Sequence, residues 1–477
     1  MEKEELDAEL EELFIDSKET KVARMSGKLH NNLLYWTVFL KKGSEYLPYV
    51  ITEKAEILKV KEEENVFYFE YDFITYKYNI KLFWNDSYRI RTVSKNILLI
   101  LKNPPNKKEL FDKIKDTLYR YYDHSNAWEH NLLVPFVIVP YICWGLGRTY
   151  YLILQGKEDT GKSTLQELFA YLQMNGWFGG KSSVPVMIRL KHLFGISANQ
   201  DEFEKMHEQE KKNYLGVLNS GYTVNGTYNF VNMNKKNIED QIQICNSFGT
   251  NSFSVNSLNL NWDFDKSFLS RCYKVIATRK NRKTFDIHNL MDEDIESFQK
   301  LRDEIFIYCL LNYSSIEDDI HKIREELEKE NIFGRSTDIY SIILGVLFHF
   351  KGEYKNEKEE LLSREGLDKT EELETIDSVV FTYLVHLFNQ EKPQILVTNK
   401  EITNFVNDEI DMPEGKRISP KSIGATLRKY NLLQREDQVT RIGKGYNYLI
   451  HFAHLKDALE RFGFKSQLKI IEGGVTK

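Results

Sequence analysis

The sequence predicts an α/β core that follows a β-rich N-terminal region and precedes a small α+β unit. Between residues 30 and 101, short runs rich in Tyr, Phe, Ile and Val alternate apolar with polar positions, as half-buried strands do. From 150 to about 350, strand-like segments alternate with helix-like ones, which favours an α/β core. From about 375 to 465 the patterns predict a helix, a strand, two helices and two strands.

Changes in composition divide the chain into four parts. The stretch KNPPNKKE, 102–109, is typical of a turn or loop and marks the end of the strand-like region. A later charged stretch is poor in large apolar residues and predicts a linker with some helix. The predicted parts are a β-rich N-terminal domain (1–107), the core with a helical lead-in and a helical lid (108–350), the linker (351–374) and a C-terminal domain (375–477).

Composition indicates a globular protein without a general affinity for polyanions. The net charge of -6 argues against a basic coat for nucleic acid, although local basic surfaces stay possible. The four cysteines are far apart and lack metal-ligand spacing, so we expect reduced, structural thiols and an intracellular location. The apolar run 131–147 holds two prolines and is short for a membrane span, which predicts a buried segment and no membrane.

The segment LILQGKEDTGKST, 152–164, is a candidate phosphate-binding loop. It matches the pattern G-x-x-x-x-G-K-[ST] between a buried strand and a helix. Glycines let backbone N–H groups crowd around phosphates, and a helix N-terminus favours negative charge. We expect Lys162 to pair the β- and γ-phosphates of ATP and Ser163 to give its hydroxyl to Mg²⁺. The predicted nucleotide-binding residues are Gly156, Thr160, Gly161, Lys162, Ser163 and Thr164.

Asp201 and Glu202 are a candidate acidic pair further along the chain. A hydrolytic site needs one carboxylate on Mg²⁺ and usually a second that orients water. The residues just before the pair, 197–200, are small or polar where a hydrophobic strand is expected. An ordinary acidic start of a solvated helix is therefore an equal alternative on the residues alone.

Four motifs follow one another in a fixed order. The acidic pair is followed by a helix and by LNSG; a polar residue ends the strand in FSVNSLNL; LSR precedes another strand; and FGRSTDIYSIILGVLFHF begins a helix with an arginine. Their order and spacing resemble AAA+ ATPases of the phage, plasmid and virus primase–helicase class. The LSR feature is shared with minichromosome-maintenance helicases. The resemblance covers roughly residues 130 to 350, and no primase domain is evident.

The resemblance implies roles around the phosphates. It makes Asp201 the Mg²⁺ carboxylate and Glu202 the residue that activates water. It makes Asn256 the first candidate for a polar sensor of the γ-phosphate, with Asn251 second. The polar run before Asp201 departs from the family pattern, so the end of the strand there is open.

The resemblance also implies two arginines with catalytic roles. Arg271 would be a finger offered to the nucleotide of a neighbouring subunit, and Arg335 would be the lid arginine. Charge that spreads over a transferring phosphoryl group favours arginines supplied from outside the loop. A surface salt bridge is the alternative for each. A finger in trans implies an oligomer, and the resemblance suggests a homo-hexamer.

A predicted hairpin lies between LNSG and the strand that ends near Asn256. Two strand-like runs flank NKKNIED, which places Lys235, Lys236 and Asn237 at the tip. In the resembled helicases such a hairpin points into the central channel and touches the DNA backbone. Lysines suit contact with any sequence. A solvated turn is an equal alternative.

The C-terminal unit resembles a winged helix. Its third helix begins with Ser419 as a predicted N-cap and Pro420 at the first helical position. A glycine-containing turn follows between two strands. Positive charge concentrates on this helix and turn, which favours DNA binding, whereas a protein-binding winged helix is the alternative. The basic residues are Lys416, Arg417, Lys421, Arg428, Lys429, Arg441 and Lys444.

These expectations combine into an ATP- and Mg²⁺-dependent, ring-forming DNA helicase or translocase. By resemblance it would replicate a virus or mobile element in the cytoplasm of a prokaryotic host, on single-stranded or forked DNA. The first alternative is a replication initiator that binds and remodels an origin without processive unwinding. A second alternative is a nucleotide-controlled switch with slow hydrolysis. A small-molecule P-loop kinase fits poorly with the length and the C-terminal unit.

Overall fold

The structure is a computed structural model, and it divides the chain into two compact units, Met1–Lys358 and Glu359–Lys477. Each unit has a hydrophobic core of its own. The structure describes residues 20–42, 45–84, 90–91, 97–124, 127–179, 182–231, 242–256, 260, 264–277, 282–330, 332–362, 376–388, 393–409, 420–429, 432–433, 439–442 and 445–461.

The first unit begins with two four-stranded sheets. One has the order β2-β3-β4-β5 and is antiparallel; the other has the order β1-β8-β7-β6, with β1 parallel to β8. This agrees with the strand-rich region that the alternating pattern predicts. The strands are β1 Thr20–Ala23, β2 Ser26–Lys28, β3 Leu34–Lys42, β4 Glu45–Thr52, β5 Ile57–Lys59, β6 Lys61–Glu63, β7 Val66–Tyr71 and β8 Ile74–Tyr78.

Two helices, α1 and α2, follow these sheets in the chain and precede the core. Helix α1, Ile97–Lys102, lies inside the region for which the sequence predicts strands. Its apolar residues are consecutive rather than alternating, so the strand pattern does not extend to it. Helix α2, Lys107–Tyr121, begins where the side chain of Asn106 accepts a hydrogen bond from the backbone N–H of Lys108 at 2.9 Å.

Helix α3, Ala127–Leu146, contains the apolar run that the sequence predicts to be buried. Its stretch Trp128–Leu146 is long and apolar enough to cross a membrane by length and composition alone. However, 83% of that stretch is buried inside the protein. The helix therefore occupies the position of a core helix of this fold.

A five-stranded parallel sheet forms the centre of the first unit. Its order is β10-β11-β14-β9-β15, and helices and an antiparallel hairpin, β12-β13, connect its strands. The elements are β9 Tyr151–Gln155, α4 Lys162–Leu172, β10 Gly176–Gly179, α5 Val184–Phe194, β11 Ser197–Gln200, α6 Glu208–Ser220, β12 Thr227–Val231, β13 Ile242–Asn246, β14 Asn251–Val255, α7 Lys266–Leu269 and β15 Cys272–Ile276.

The register of the sheet places the carboxyl ends of its strands at one edge. Gln155 at the end of β9 pairs with Val255 of β14 and with Ile276 of β15. Gln200 at the end of β11 pairs with Phe253 of β14. Loops that follow parallel strands therefore meet at this edge, which is where ligands bind in open α/β sheets.

Helices complete the first unit after the sheet. They are α8 Asp292–Leu311, α9 Tyr313–Lys329, α10 Arg335–Lys351 and α11, residues 355–362. Helix α11 falls in the predicted linker, and its residues up to Lys358 belong to this unit. Its Glu357 is buried and pairs with Lys351 at 2.6 Å and with the amide of Asn131 at 2.8 Å.

Polar contacts tie the N-terminal sheets to the helices of the core. Lys28 of β2 pairs with Glu317 of α9 at 2.8 Å. The carboxylate of Glu53 accepts hydrogen bonds from the backbone N–H and the hydroxyl of Ser314, at 3.1 and 2.5 Å. Residues of the N-terminal sheets and of the parallel sheet also share one hydrophobic core. The two sheet systems consequently form one packed unit.

The second unit has the element order that the sequence predicts, with one further helix at its end. Its three-stranded antiparallel sheet has the order β16-β18-β17. Pro420 is the first residue of its third helix, as expected. The elements are α12 Ile376–Phe388, β16 Gln394–Thr398, α13 Asn399–Glu409, α14 Pro420–Lys429, β17 Val439–Ile442, β18 Gly445–His451 and α15 Phe452–Arg461.

Candidate functional site

The glycine-framed loop lies at the carboxyl edge of the parallel sheet, between β9 and α4. The side chain of Lys162 is 8% exposed and donates to the carbonyl oxygens of Gly156 and Lys157, both at 2.7 Å. Gly161 precedes the helix with φ 80°, a conformation that glycine adopts readily. The first turn of α4 contains Lys162, Ser163 and Thr164 and no acidic residue. Its N–H groups are thus suited to a negative ligand.

Position 156 needs a glycine because the end of β15 approaches the loop closely there. A Cβ atom at this position would lie 2.6 Å from the carbonyl oxygen of Ala277, which follows β15. The loop is fixed there because the Gly156 N–H donates to Val255 at 3.1 Å and the Ala277 N–H donates to Gln155 at 2.7 Å. The hydroxyl of Thr160 also donates to the carbonyl of Lys157 at 2.9 Å. The strand ends and the loop hydrogen bonds together fix the backbone of the loop in a shape that can surround phosphate groups.

The acidic pair directly follows a strand, which decides between the two alternatives left by the sequence. Strand β11 ends at Gln200, so Asp201 lies at the carboxyl edge that also carries the phosphate loop. Glu202 has φ 55° and caps a short 3₁₀ turn, and its carboxylate pairs with Lys205. The helix α6 begins only at Glu208. The pair therefore belongs to a strand end rather than to the start of an ordinary helix.

Ser254 positions both members of the acidic pair. Its hydroxyl donates to the carboxylate of Asp201 and accepts from the backbone N–H of Glu202 at 3.1 Å. The same Asp201 carboxylate oxygen accepts from the Glu202 N–H at 2.9 Å. Sequence reasoning missed this residue. Serines at alternate positions of an otherwise buried strand, 252 and 254, were the available indication, because both side chains face the same side.

Strand β11 is polar, and its Asn199 side chain and its last backbone carbonyl are hydrogen-bonded to neighbouring segments. All four of its residues are buried. The amide of Asn199 accepts from the hydroxyl of Ser252 at 2.6 Å. Gln166 of α4 donates to the carbonyl of Gln200 at 2.7 Å and to Ser252 at 3.2 Å. Buried polar groups are tolerated when they are hydrogen-bonded, so these amides replace the usual hydrophobic strand.

The two candidate sensors lie at opposite ends of β14. Asn256 directly follows Val255 and is therefore at the carboxyl edge, beside the phosphate loop. Asn251 is the first residue of β14 and pairs with Tyr151 at the start of β9. Its buried amide donates to the carbonyl of Gly249 at 3.0 Å. This geometry favours Asn256 and removes Asn251 as a phosphate contact.

Arg271 and Arg335 lie together at the amino edge of the sheet. Arg271 precedes β15, and its carbonyl accepts from the N–H of Tyr151 at 3.0 Å. Arg335 is the first residue of α10, where a positive charge is disfavoured by the helix dipole. It donates to the hydroxyl of Ser270 at 2.5 Å. Partial burial and then the charge of Arg335 lower the pKa of Arg271.

Both arginines are remote from the phosphate loop of their own chain. The five residues of β9 separate the two edges of the sheet, which is about 13 Å along an extended strand. The lid arginine is therefore not beside its own phosphate loop. A surface salt bridge is also not found for either residue, because neither Arg271 nor Arg335 forms an ion pair within the described part of the chain.

The predicted hairpin exists, and its tip falls outside the described residues. Strands β12 and β13 pair from Thr227 with Asn246 to Val231 with Ile242. Lys235, Lys236 and Asn237 belong to the undescribed stretch between these strands. In the second unit, the side chain of Arg428 is exposed on α14. The other predicted DNA contacts, Lys421, Lys429, Arg441 and Lys444, have side chains outside the described set, as have Lys416, Arg417 and Ser419.

The residues at the carboxyl edge fit a nucleoside triphosphate with a divalent cation. The N–H groups of the loop and of the first turn of α4, with the ammonium of Lys162, are donors for phosphate oxygens. The hydroxyl of Ser163 and the carboxylate of Asp201 are hard oxygen ligands of the kind that Mg²⁺ prefers. Glu202, 46% exposed at its side chain, is available to contact water.

Among solved structures, the chain is similar to one described as SCCmec type IV Cch, active helicase. The sequence identity is 10% and the TM-score is 0.43, over 96% of this chain and 84% of that chain. No protein-family model matches the sequence, and no curated protein matches it. A TM-score this low carries no argument about function, so the functional proposal is based on the chain's own residues.

Proposed function

We propose that the chain binds ATP with Mg²⁺ and hydrolyses it. The observation that carries this proposal is the convergence of three separate segments at one sheet edge. The phosphate loop after β9, the acidic pair after β11 and Asn256 after β14 follow three adjacent strands. Loop N–H groups and Lys162 hold the phosphates, and Ser163 with Asp201 holds the cation. Bound Mg²⁺ would supply neutralising charge on the phosphates.

The remaining residues of the edge act on water and on the orientation of the phosphate. Glu202 orients a water for attack, and its placement depends on the hydrogen bond from its N–H to Ser254. Asn256 offers an amide to the terminal phosphate. Among the described residues that form this edge, 155–164, 200–202 and 255–256, none is an arginine, whereas phosphoryl transfer benefits strongly from one. An arginine supplied from elsewhere would therefore assist catalysis at this edge.

A second copy of the chain would complete the site. Arg271 and Arg335 lie at the opposite sheet edge, where they can serve only another subunit's nucleotide. Assembly of copies head to tail gives each nucleotide one set of loop residues and one set of arginines. Such heterologous contacts close into a ring when the rotation between copies allows it. We propose a ring, and a homo-hexamer by the resemblance stated for residues 130 to 350.

DNA is the proposed partner of the motor. The β12–β13 ladder ends at the pair of Val231 with Ile242, and the sequence between these strands contains Lys235 and Lys236. The C-terminal unit has a third helix that carries Arg428. We propose that the hairpin grips single-stranded or forked DNA and that the C-terminal unit is a winged helix. The chain would thus be an AAA+ helicase or translocase that replicates a virus or mobile element in the cytoplasm of a prokaryotic host.

Turnover by Lys162 variants tests the ATPase. Lys162→Ala should abolish ATP hydrolysis, because it removes the only side-chain cation of the loop that bonds to the loop carbonyls. Lys157→Ala is the matched control, since this lysine is exposed and in the same loop. It should keep turnover within about twofold of the wild type. Robust ATP hydrolysis by Lys162→Ala would show that this loop is not the ATP site.

A fork-unwinding assay tests the motor function. Substrates with 3′ or 5′ tails are incubated with protein and ATP, beside a measurement of DNA-stimulated hydrolysis and of particle mass. Strand displacement with one tail supports a helicase; DNA-stimulated hydrolysis without displacement indicates the initiator. Lys235→Ala with Lys236→Ala should keep basal hydrolysis and reduce displacement. Unchanged displacement by that variant would exclude the hairpin from the mechanism.

A further inference from the structure

Tyr222 places a buried hydroxyl beside the two arginines. The residue is 7% exposed, and its hydroxyl forms no hydrogen bond within the described part of the chain. Its backbone is fixed at the amino edge of the sheet, because the N–H of Thr149 donates to the Tyr222 carbonyl at 3.2 Å. Buried hydroxyls almost always have a partner in a folded protein. Within the described residues this hydroxyl has no partner, as is also the case for Tyr214, so what distinguishes Tyr222 is its position beside the arginines.

The guanidinium of Arg271 lies 5.6 Å from the centroid of the Tyr222 ring. Arg271 donates to the carbonyl and, at 2.8 Å, to the hydroxyl of Ser267, while its Nε–H is buried without a partner. Arg335 donates to the same Ser267 carbonyl at 3.3 Å. The two guanidinium groups thus share one acceptor, and the ring of Tyr222 lies beside one of them.

Acidic residues near this region are already engaged. One carboxylate oxygen of Asp338 accepts from Arg148 at 2.8 Å and from Arg324 at 2.6 Å. The carboxylate of Asp265 caps α7 by accepting from the N–H of Phe268 at 2.7 Å. These contacts leave Arg271 and Arg335 without an ion pair among the described residues. The region is therefore cationic and suited to an anion.

We propose that the Tyr222 hydroxyl, Arg271 and Arg335 form one anion site that receives the terminal phosphate of a nucleotide held by a second copy. Arginine forks and a hydroxyl donor together match the oxygens of a phosphate. The site lies at the edge remote from the chain's own phosphate loop, so a nucleotide of the same chain cannot fill it. The inference rests on the proposed function and adds Tyr222 as a donor to it.

The protonation state of Tyr222 agrees with a donor role. Burial and then the carboxylate of Asp338 raise the pKa of Tyr222 above its ordinary value. The hydroxyl therefore keeps its proton at neutral pH and can donate it in a hydrogen bond. Because the ring is buried on a backbone tied to β9, this donor is held in place before the anion arrives.

Tyr222→Phe tests the proposal because it removes one oxygen atom and keeps the ring. We expect ATP binding per subunit to be unchanged and turnover of the assembled protein to fall about 10- to 100-fold, the range for a lost hydrogen bond to a charged group. Tyr214→Phe is the matched control: its hydroxyl is also buried without a partner in the described part of the chain, and its ring packs against Phe203 and Phe253. Equal turnover of both variants would overturn the proposal.

Two further measurements distinguish a failure of the Tyr222 proposal from a failure of the shared ATP site. Tyr222→Phe mixed with Lys162→Ala should regain turnover, because mixed interfaces pair an intact loop with an intact anion site. Adding Tyr222→Phe to Arg271→Ala should cause little further loss if both serve one phosphate. If Arg271→Ala is impaired while Tyr222→Phe is not, only the role of Tyr222 fails. If Tyr222→Phe loses DNA affinity and keeps turnover, the anion is a DNA phosphate and the proposal fails.

Discussion

Arg271 and Arg335 donate hydrogen bonds to the same acceptor, the carbonyl oxygen of Ser267. Two guanidinium groups on one oxygen repel each other, and partial burial strengthens that repulsion. The arrangement persists because the loop before β15 and the start of α10 are fixed by their own packing. It costs stability in the isolated chain, and an anion that binds between the arginines would offset this cost.

Arg271→Ala should lose ATP turnover and regain it when mixed with Lys162→Ala. Each variant supplies the half of the shared site that the other lacks, so mixed assemblies contain some intact sites. The measurement is turnover of each variant alone and of mixtures at fixed total concentration. Arg324→Ala is a useful control, because Arg324 pairs with Asp338 and lies outside the proposed site. Mixtures without activity, in oligomers of normal mass, would contradict an arginine supplied in trans.

Gly156→Ala should disable the phosphate loop, whereas Gly216→Ala should not. The new Cβ at 156 would meet the Ala277 carbonyl at 2.6 Å, and this backbone atom cannot move without displacing β15. A Cβ at 216 has nothing within 4 Å, and this exposed position in α6 should gain about 0.5–1 kcal/mol of stability. Nucleotide binding and thermal unfolding measure both effects. Normal ATP affinity in Gly156→Ala would show that the strand ends are less tightly fixed than described.

Ser254→Ala should raise the Mg²⁺ concentration needed for ATP turnover about tenfold. The lost hydroxyl leaves the Asp201 carboxylate without one of its donors, and a hydrogen bond to a charged group contributes about 1.5–3 kcal/mol. Ser254→Thr keeps the hydroxyl and should restore the Mg²⁺ dependence. A purely structural role for Ser254 predicts instead that Ser254→Ala lowers stability and leaves the Mg²⁺ titration unchanged.

Lys191→Met should increase stability at neutral pH and flatten its pH dependence. Lys191 is 1% exposed, and burial lowers its pKa to about 7, whereas an unfolded lysine titrates near about 10.4. Between these values the unfolded chain binds more protons, so the free energy of unfolding rises with pH in the wild type. At pH 7 the variant should gain about 1–3 kcal/mol.

Urea unfolding of the wild type and Lys191→Met at about pH 7 and about pH 9.5 measures this effect. The carbonyl of Gly249, which accepts from Lys191 at 3.2 Å, keeps a second donor in Asn251 at 3.0 Å. The substitution therefore leaves no buried acceptor unpaired there. Parallel pH curves for the two proteins would show that Lys191 does not titrate in this range.

Local patterns in the sequence correctly predicted the strand, the glycine turn and the helix around residues 151–172, because these three are adjacent in the chain. The acidic pair was harder to predict. The polar side chain of Asn199 is paired with Ser252 only in the packed sheet, so hydropathy alone cannot identify residues 197–200 as a strand. Alternation correctly predicted the strands between residues 34 and 78, did not predict β1 and β2, which lie before residue 30, and failed at α1.

Contacts between distant segments could not be predicted at all. Arg271 and Arg335 meet through Ser267 only because α10 returns to the amino edge of the sheet after two intervening helices, α8 and α9. The roles that the resemblance gave to these arginines said nothing of their mutual distance. The proposed role of Tyr222 likewise depends on its neighbours in the folded chain. Its own segment indicates no function, since a tyrosine after a helix matches no functional motif.

The contacts of Lys28 with Glu317 and of Glu53 with Ser314 have a mechanical consequence. They fasten the N-terminal sheets to α9, and α9 packs against α10, which begins at Arg335. A displacement of Arg335 that accompanies a phosphate at the amino edge would be transmitted through these helices to the sheets. The N-terminal region would then move together with the arginines, because it is fastened to the same helices.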